Sequence, residues 1–180
     1  MTGKPGVGKT TVLAKAVSAL NGKGFSTGGM ISREVRESGF RMGFEILDSG
    51  SGKRGWLAHV NQKVGPQVGK YRVNLEDLEN IGAQAIYYAI ENSDVIVIDE
   101  IGPMELFSEK FKNATRKALE STKLVLAVVH WKARDKLIED AKNMKDSETF
   151  VVTEENRNDL NQVIADEAIK ALENTANHLP

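Results

Sequence analysis

A pattern typical of phosphate-binding loops, G-x-x-x-x-G-K-[ST], lies at the amino end of the chain as Gly3-Lys4-Pro5-Gly6-Val7-Gly8-Lys9-Thr10. Glycines suit such a loop because backbone N–H groups must point inward at the phosphates with no Cβ in the way. Lys9 can then reach the β- and γ-phosphates of a nucleoside triphosphate, and the Thr10 hydroxyl can bind Mg²⁺. The pattern therefore predicts a site for a nucleoside triphosphate and Mg²⁺.

Two adjacent acids form the second candidate group. The run Asp94-Val95-Ile96-Val97-Ile98-Asp99-Glu100 is apolar and largely β-branched until it ends in these acids, which is typical of a strand buried on both faces. An Asp at the end of such a strand holds the Mg²⁺ in phosphate-loop enzymes, and Glu100 would then deprotonate a water in line with the γ-phosphate. The simpler interpretation is that the two acids only end a strand, but the complete loop upstream favours the catalytic one.

Several cations and aromatics could complete the site, because phosphoryl transfer usually needs an added positive charge on the transferring phosphate. The candidate arginines are Arg33, Arg36, Arg41 and Arg157, and for each the alternative is a solvated face or a structural ion pair. His130 and Trp131 follow an apolar run, where His130 could sense the γ-phosphate and Trp131 could stack on a base or lie in the core or a lid.

The stretch Asn156-Arg157-Asn158-Asp159 looks superficially like a guanine-reading box. Such a box normally ends a buried strand, whereas here Thr153-Glu154-Glu155 intervenes, and Thr153 with Asn156 is better interpreted as a helix start. We therefore expect loose base specificity, with ATP, GTP and other triphosphates accepted.

The elements around the loop predict how these residues are positioned. An apolar stripe at helical spacing follows the loop up to Asn21-Gly22, and it consists of Val12, Leu13, Ala16, Val17 and Leu20. Only Met1 and Thr2 precede the loop, so either the first strand is one or two residues long or the start is misplaced. Alternation of apolar and other residues over 40–46 predicts an antiparallel β-hairpin insertion at about 32–60, and 61–72 is expected to be a loop over the nucleotide.

The second half alternates strands with helices, which predicts a parallel sheet with helices on both faces. The expected fold is α/β: a mostly parallel P-loop NTPase sheet of the RecA-like type, flanked by helices, with an antiparallel hairpin extension in a single domain over 1–180. The chain has no cysteine, which excludes disulfides and thiol catalysis, and its three histidines lack metal-ligand spacing. A net charge of −1 makes nucleic acid an unlikely partner. We expect a cytoplasmic monomer with no membrane contact.

The chain resembles the small nucleoside-triphosphatases first described from thermophiles, the family of the cancer-related nucleoside-triphosphatase. The resemblance rests on five segments that together run nearly end to end: 3–11, Glu34-Val35-Arg36 with Gly39-Phe40-Arg41-Met42-Gly43-Phe44, Tyr71-Arg72-Val73, Ile98-Asp99-Glu100-Ile101-Gly102-Pro103-Met104-Glu105-Leu106, and Thr153-Glu154-Glu155-Asn156-Arg157. The chain departs from the family pattern at its start, where the family has a full hydrophobic strand.

The resemblance implies a compact α/β phosphate-loop enzyme that hydrolyses ATP, GTP and other nucleoside triphosphates to the diphosphate and phosphate. It implies nucleotide contacts at Gly3, Lys4, Pro5, Gly6, Val7, Gly8, Lys9, Thr10 and Thr11, and at Ile98, Asp99, Glu100, Ile101 and Gly102. Two other functions fit the same loop: a kinase that seats a small acceptor with 61–72 and the hairpin, and a nucleotide-dependent switch with slow turnover.

Overall fold

The structure is a computed structural model that describes residues 1–176 of the chain. Its strands are β1 (Thr2–Gly3), β2 (Thr27–Glu37), β3 (Phe40–Asp48), β4 (Arg54–His59), β5 (Gln67–Val68), β6 (Tyr71–Val73), β7 (Val95–Ile101), β8 (Leu124–Val129) and β9 (Val151–Val152). Its helices are α1 (Lys9–Gly22), α2 (Leu75–Asp77), α3 (Gln84–Asn92), α4 (Glu109–Glu120), α5 (Lys136–Asn143) and α6 (Leu160–Ala176), with a π-helical segment (Leu78–Ala83) joining α2 to α3 and a 3₁₀ turn at Glu105–Phe107.

Five strands form the parallel part of the sheet. β2 pairs with β7 and β7 with β8, in parallel register from Thr27 opposite Val95 onward, and β1 pairs in parallel with β9. Backbone hydrogen bonds from the Val129 nitrogen to the Met1 carbonyl (2.8 Å) and from the Met1 nitrogen to Ala127 (2.7 Å) attach β1 to β8. The parallel order is thus β9-β1-β8-β7-β2, which is the predicted RecA-like arrangement.

The first strand, β1, is two residues long, and hydrogen bonds outside its pairing with β9 also hold it. The Thr2 hydroxyl is buried and donates to the Val129 carbonyl at 3.0 Å, while the Thr2 nitrogen donates to Phe150 at 2.9 Å. These bonds fix the start of the phosphate loop between β8 and β9, where Val7 packs with Val152 in an apolar cluster.

The antiparallel part is larger than the predicted hairpin. β2, β3, β4 and β6 pair antiparallel in that order, and β5 pairs with β6, so the segment expected to be a loop over the nucleotide contains two short strands. That expectation is wrong for a physical reason: Gly69, at φ 59°, forms a tight turn between Val68 and Tyr71, which lets the chain pair with itself. In the seven-stranded sheet β5 and β6 lie at the edge farthest from β8 and the phosphate loop.

Helices cover both faces of the sheet, as predicted. The largest apolar cluster lies on the α3 and α4 face, where Ile96, Ile98 and Ile101 of β7 pack with Phe111 of α4. On the other face Val97 packs with Leu13 of α1, and α1 lies against α6. Alternate residues of β7 therefore enter different clusters, which explains why its apolar run is continuous. Across residues 1–176, no helix is both long enough and apolar enough to pass through a bilayer.

Candidate nucleotide site

The phosphate loop joins β1 to α1 and turns tightly. Gly6 and Gly8 have φ angles of 76° and 108°, in the left-handed region that glycine adopts without a steric penalty. The Val7 nitrogen donates to the Lys4 carbonyl at 3.3 Å, and Gly8 precedes the first residue of α1. The unpaired N–H groups of the first helical turn and the positive end of the helix dipole therefore face the space above the loop, where they favour an anion.

The loop lysine reaches across to β7. The Lys9 ammonium lies 3.8 Å from Oε2 of Glu100, and the two side chains are 10% and 23% exposed. Thr10 follows at the start of α1 and interacts with the Asp99 carboxylate. The structure thus brings together the loop and the two acids, although they are about ninety positions apart in the chain.

A β-bulge explains how two neighbouring residues of one strand can both serve this site. Asp99 lies opposite Val128 and Ile101 opposite Val129, which leaves Glu100 as an extra residue in β7. With strict alternation Glu100 would share the core face of Ile98; instead Ile101 takes that position, and the Glu100 carboxylate reaches Lys9. The buried side chains of Ile98 and Ile101 pack in the core, so any nucleotide contact from these two residues would come from the backbone.

Asp99 is almost completely buried, and its Oδ2 has no hydrogen-bond partner. Burial raises the pKa of Asp99 to about 6; the Thr10 side chain lowers it, the Glu100 carboxylate raises it, and Lys9 lowers it. An orphaned carboxylate oxygen beside a threonine hydroxyl fits a hard cation such as Mg²⁺, which takes oxygen ligands and completes its shell with water and phosphate. Residues 1–176 contain no group of three or more His, Cys, Asp or Glu side chains arranged to hold a metal ion.

A third acid, Glu105, lies near these two, and sequence reasoning did not single it out. It is 5% exposed, and its Oε2 accepts a hydrogen bond from the Gly102 nitrogen at 3.1 Å. The pKa of Glu105 is raised to about 8, mainly by burial and also by the nearby Glu100 and Asp99 carboxylates, while backbone hydrogen bonds to its carboxylate lower it. Glu105 follows a Gly-Pro break and has no periodic pattern around it, so the only signal was its place in the segment that carried the family resemblance.

Gly102 is the point at which these side chains meet. A Cβ at this position would lie 3.2 Å from Oε1 of Glu100, 3.2 Å from Oε2 of Glu105 and 3.4 Å from the His130 Cβ. His130 is therefore beside the acids, and its Nδ1 accepts hydrogen bonds from the Ala133 and Lys132 nitrogens at 3.0 and 3.3 Å. This leaves Nε2 as the ring nitrogen able to face a ligand.

Trp131 occupies a different place. It is 37% exposed and lines a recess of about 500 Å³ together with residues around α5, and no residue of the phosphate loop lines that recess. The residues that share it are Lys132, Ala133, Arg134, Ile138, Glu139 and Lys142. The recess that Trp131 lines therefore includes none of Lys9, Asp99 and Glu100.

Arg157 lies on the phosphate loop. Its Nη1 donates to the Val7 carbonyl at 3.4 Å, and its Cδ lies 3.7 Å from the position of a Cβ on Gly8. The turn that carries it is closed by two reciprocal hydrogen bonds, from the Thr153 nitrogen to Oδ1 of Asn156 (2.8 Å) and from the Asn156 nitrogen to the Thr153 hydroxyl (3.3 Å). These bonds form the helix-start motif that the sequence predicted, although α6 itself begins later, at Leu160.

The other three candidate arginines are bound within the hairpin. Arg33 pairs with Glu45 at 2.5 Å, and both Arg36 and Arg41 pair with Glu34. Strand β2 continues past its last pair with β7, Ile31 opposite Asp99, so the hairpin projects beyond the edge of the sheet where the site lies. The structure thus gives these three arginines acidic partners in the hairpin, and none of their observed contacts is with the phosphate loop.

A RecA-like parallel sheet, a complete phosphate loop on its first strand and an acid pair on β7 together define a P-loop nucleotide-binding protein. The sequence profile of the family described as NTPase matches residues 1–165. The chain therefore belongs to the NTPase family, and it is an enzyme.

Named relatives agree with this assignment. The chain is similar to nucleoside-triphosphatase THEP1 of Methanosarcina acetivorans, with 46% identity over 96% of this chain and 97% of the relative. It is also similar to nucleoside-triphosphatase THEP1 of Thermofilum pendens, with 50% identity over 72% of this chain and 71% of the relative.

Two solved structures have the same fold. THEP1 from Aquifex aeolicus superimposes with a TM-score of 0.82 at 30% identity, covering 93% of this chain and 96% of that one. A human cancer-related nucleoside triphosphatase superimposes with a TM-score of 0.75 at 36% identity and covers 94% of each chain. The resemblance stated from the sequence motifs is confirmed.

Proposed function

We propose that this protein hydrolyses nucleoside triphosphates to the diphosphate and phosphate with Mg²⁺ as cofactor. The observation that carries the proposal is the pair at the end of β7: Asp99 is buried with an unpartnered oxygen beside Thr10, and Glu100 is released by the bulge toward Lys9. The pair supplies a metal ligand and a base within reach of one phosphate-binding loop.

The roles follow from position and charge. The amides of the loop and α1 hold the β-phosphate, and Lys9 lies between the β- and γ-phosphates. Bound triphosphate then competes with Glu100 for the ammonium group, which frees the carboxylate to accept a proton from a water. Oxygen of that water bonds to the γ-phosphorus, the bond to the β,γ-bridging oxygen breaks, and the diphosphate leaves.

Mg²⁺ would be held by Asp99 and Thr10 and would neutralise charge on the β- and γ-phosphate oxygens. His130 lies beside Glu100 and Gly102, where its Nε2 can donate to a γ-phosphate oxygen or to the attacking water. These assignments use residues of one chain only, and we propose that the enzyme acts as a monomer, which light scattering during gel filtration would test.

Hydrolysis is favoured over transfer to a small acceptor. An acceptor would be seated by 61–72 and the hairpin together. The segment 61–72 lies at the opposite edge of the sheet from β8 and the phosphate loop, and the hairpin arginines pair with glutamates of the hairpin itself. The stretch 156–159 also does not form a guanine-reading box, because the Asn156 side chain closes the turn after β9. We therefore propose broad base selectivity, with kcat/KM for ATP, GTP, CTP and UTP within roughly tenfold. A hundredfold preference for one base would contradict that selectivity.

The test is phosphate release from ATP with Mg²⁺, measured without acceptor and with a panel of small hydroxyl and carboxyl acceptors. Glu100→Gln keeps the shape of the side chain but removes the base, so we expect kcat to fall by ~10²–10⁴ while nucleotide affinity is retained. Glu91→Gln, at an exposed position of α3, is the matched control. Hydrolysis by Glu100→Gln at the wild-type rate, or release that requires an acceptor, would refute the proposal.

A further inference from the structure

The phosphate loop has two flanks with different chemistry. On one side, across β8, lies β7 with Asp99 and Glu100; on the other side β9 pairs directly with β1 and leads into the turn that carries Arg157. A triphosphate is a linear chain, and the acids and Lys9 define the position of its γ end. The α-phosphate and the nucleoside must therefore leave the loop toward the flank of β9 or into solvent.

Arg157 is a cation on the β9 flank that makes few contacts of its own. Its one observed contact is the 3.4 Å hydrogen bond to the Val7 carbonyl, and it forms no ion pair in the part of the chain that the structure describes. Two acids lie two positions from it in sequence, Glu155 and Asp159. Glu155 interacts instead with Thr153, which lowers the pKa of Glu155, and with Lys4. The residue is exposed and its one observed hydrogen bond uses a single N–H group, so most of its five N–H donors are available to a ligand.

We infer that Arg157 binds the nucleoside part of the substrate, with the plane of its guanidinium group stacked on the base. The inference rests on the proposed function and refines it. A guanidinium plane can stack on any of the four bases, which agrees with the lack of a base-reading box. The bond to Val7 orients the side chain before the nucleotide arrives. Arg157 is thus a substrate-binding residue at the end of the site remote from the reacting phosphorus.

The experiment measures equilibrium binding, so it does not depend on turnover. A fluorescent ADP analogue is displaced by ADP, GDP, CDP, UDP and inorganic pyrophosphate, each with Mg²⁺, for wild type, Arg157→Ala and Arg157→Lys. Pyrophosphate fills the loop but has no nucleoside, and Lys keeps the charge and a donor for Val7 but has no plane. Arg116→Ala, at an exposed position of α4, is the matched control.

We expect Arg157→Ala to raise the Kd of all four diphosphates roughly tenfold, the scale of one stacked base. Pyrophosphate should change less than about twofold, and Arg157→Lys should recover little. Three results would overturn the inference: unchanged Kd for the diphosphates, an equal rise for pyrophosphate, or full recovery by lysine, which would indicate a phosphate contact.

A kinetic measurement separates this inference from the proposed function. In steady-state hydrolysis Arg157→Ala should raise KM for the four triphosphates with kcat within about threefold of wild type. A fall in kcat at unchanged KM would place the arginine on the transferring phosphate instead. If wild type binds nucleotides but does not hydrolyse them, the proposed function fails, while the displacement data still decide the role of Arg157.

Discussion

The two flanks of the phosphate loop differ in how deeply their charged side chains are buried. On the β7 flank Asp99 and Glu105 are 1% and 5% exposed, and burial together with neighbouring carboxylates raises the pKa of both. On the β9 flank Arg157 is exposed and makes one hydrogen bond to the loop. Electrostatic interactions are stronger on the buried β7 flank, which we call the dry flank, so we expect kcat to depend mainly on its residues. We expect nucleotide affinity to depend mainly on the exposed β9 flank, which we call the wet flank.

The largest effect should come from Lys9, the residue that connects the loop to the β7 flank. Lys9→Ala removes the charge on the β- and γ-phosphates without a substitute, and we expect kcat/KM to fall by at least ~10³. It also leaves Glu100 without its cation. Hydrolysis assays and nucleotide binding are the measurements, with the exposed α1 residue Lys15 changed to Ala as control. Near-normal turnover would show that the loop is not the phosphate site.

The next largest effect is expected at Asp99, and it distinguishes the role of Asp99 from that of Glu100. Asp99→Asn keeps the buried shape but weakens metal binding, so we expect kcat/KM to fall by ~10² at low Mg²⁺ and to recover in part as Mg²⁺ rises. The Glu100→Gln defect should not respond to Mg²⁺. Titrations of Mg²⁺ for both variants, with the exposed Asp146→Asn as control, make the comparison. Identical Mg²⁺ responses would mean that the two acids do not have separate roles.

A smaller effect is expected at Gly102, where Glu100, Glu105 and His130 meet. A methyl group there would need its neighbours to give by a few tenths of an ångström, and misplacing Glu100 by that amount should lower kcat about tenfold with Kd unchanged. Gly22→Ala has no heavy atom within 4 Å of the new Cβ and is the matched control. If Gly102→Ala raises Kd while kcat stays constant, the wet and dry flanks are not divided as proposed.

The smallest effect concerns stability and tests how dry the β7 flank is. The pKa of Glu105 is about 8 in the folded protein and about 4.5 in an unfolded chain, so folding takes up a proton at pH values between these two. Its contribution to stability is complete below pH 4.5 and is lost as the pH rises to about 8. Between pH 7 and 8 the free energy of unfolding should fall by on the order of 1 kcal/mol because of Glu105. This range lies above the pKa of about 6 for Asp99, so the Asp99 carboxyl titrates little within it.

Glu105→Gln imitates the protonated acid and removes this dependence. We therefore expect the Tm of wild type to fall by roughly 2–4 °C relative to Glu105→Gln between pH 7 and 8, as measured by thermal unfolding. Glu173→Gln, exposed on α6, should follow wild type. Parallel curves for wild type and Glu105→Gln would show that Glu105 is ionised in the fold.

The loop and Asp99 could be predicted because their chemistry requires certain residue types at fixed spacing. The parallel half of the sheet could also be predicted, since alternating strands and helices allow few topologies. The pairing of Arg33 with Glu45 could not, because it depends on the register of β2 and β3, which a turn and a bulge set. The contact of Arg157 with Val7 joins residues 150 positions apart, and no local pattern reports it.

Two failures have local causes. Over 61–72 the sequence predicts a loop, because Gly65-Pro66 and Gly69 interrupt the apolar alternation, but Gly69 marks the turn between β5 and β6. The burial of Glu105 was missed because an acid after a Gly-Pro break normally faces solvent. In the structure the Gly102 nitrogen donates a hydrogen bond to the buried carboxylate, which offsets part of the cost of its burial.

The bulge in β7 has a consequence for mutational tolerance. Because Ile101 resumes the core face after the extra residue, the Glu100 side chain belongs to neither of the two apolar clusters that β7 enters on the two faces of the sheet. Substitutions at Glu100 should therefore spare expression and thermal stability, whereas polar substitutions at Ile98 or Ile101 should not. In a saturation library selected only for folding, Glu100 should therefore accept many residues while Ile98 and Ile101 stay apolar. Selection for activity should restrict Glu100 as well.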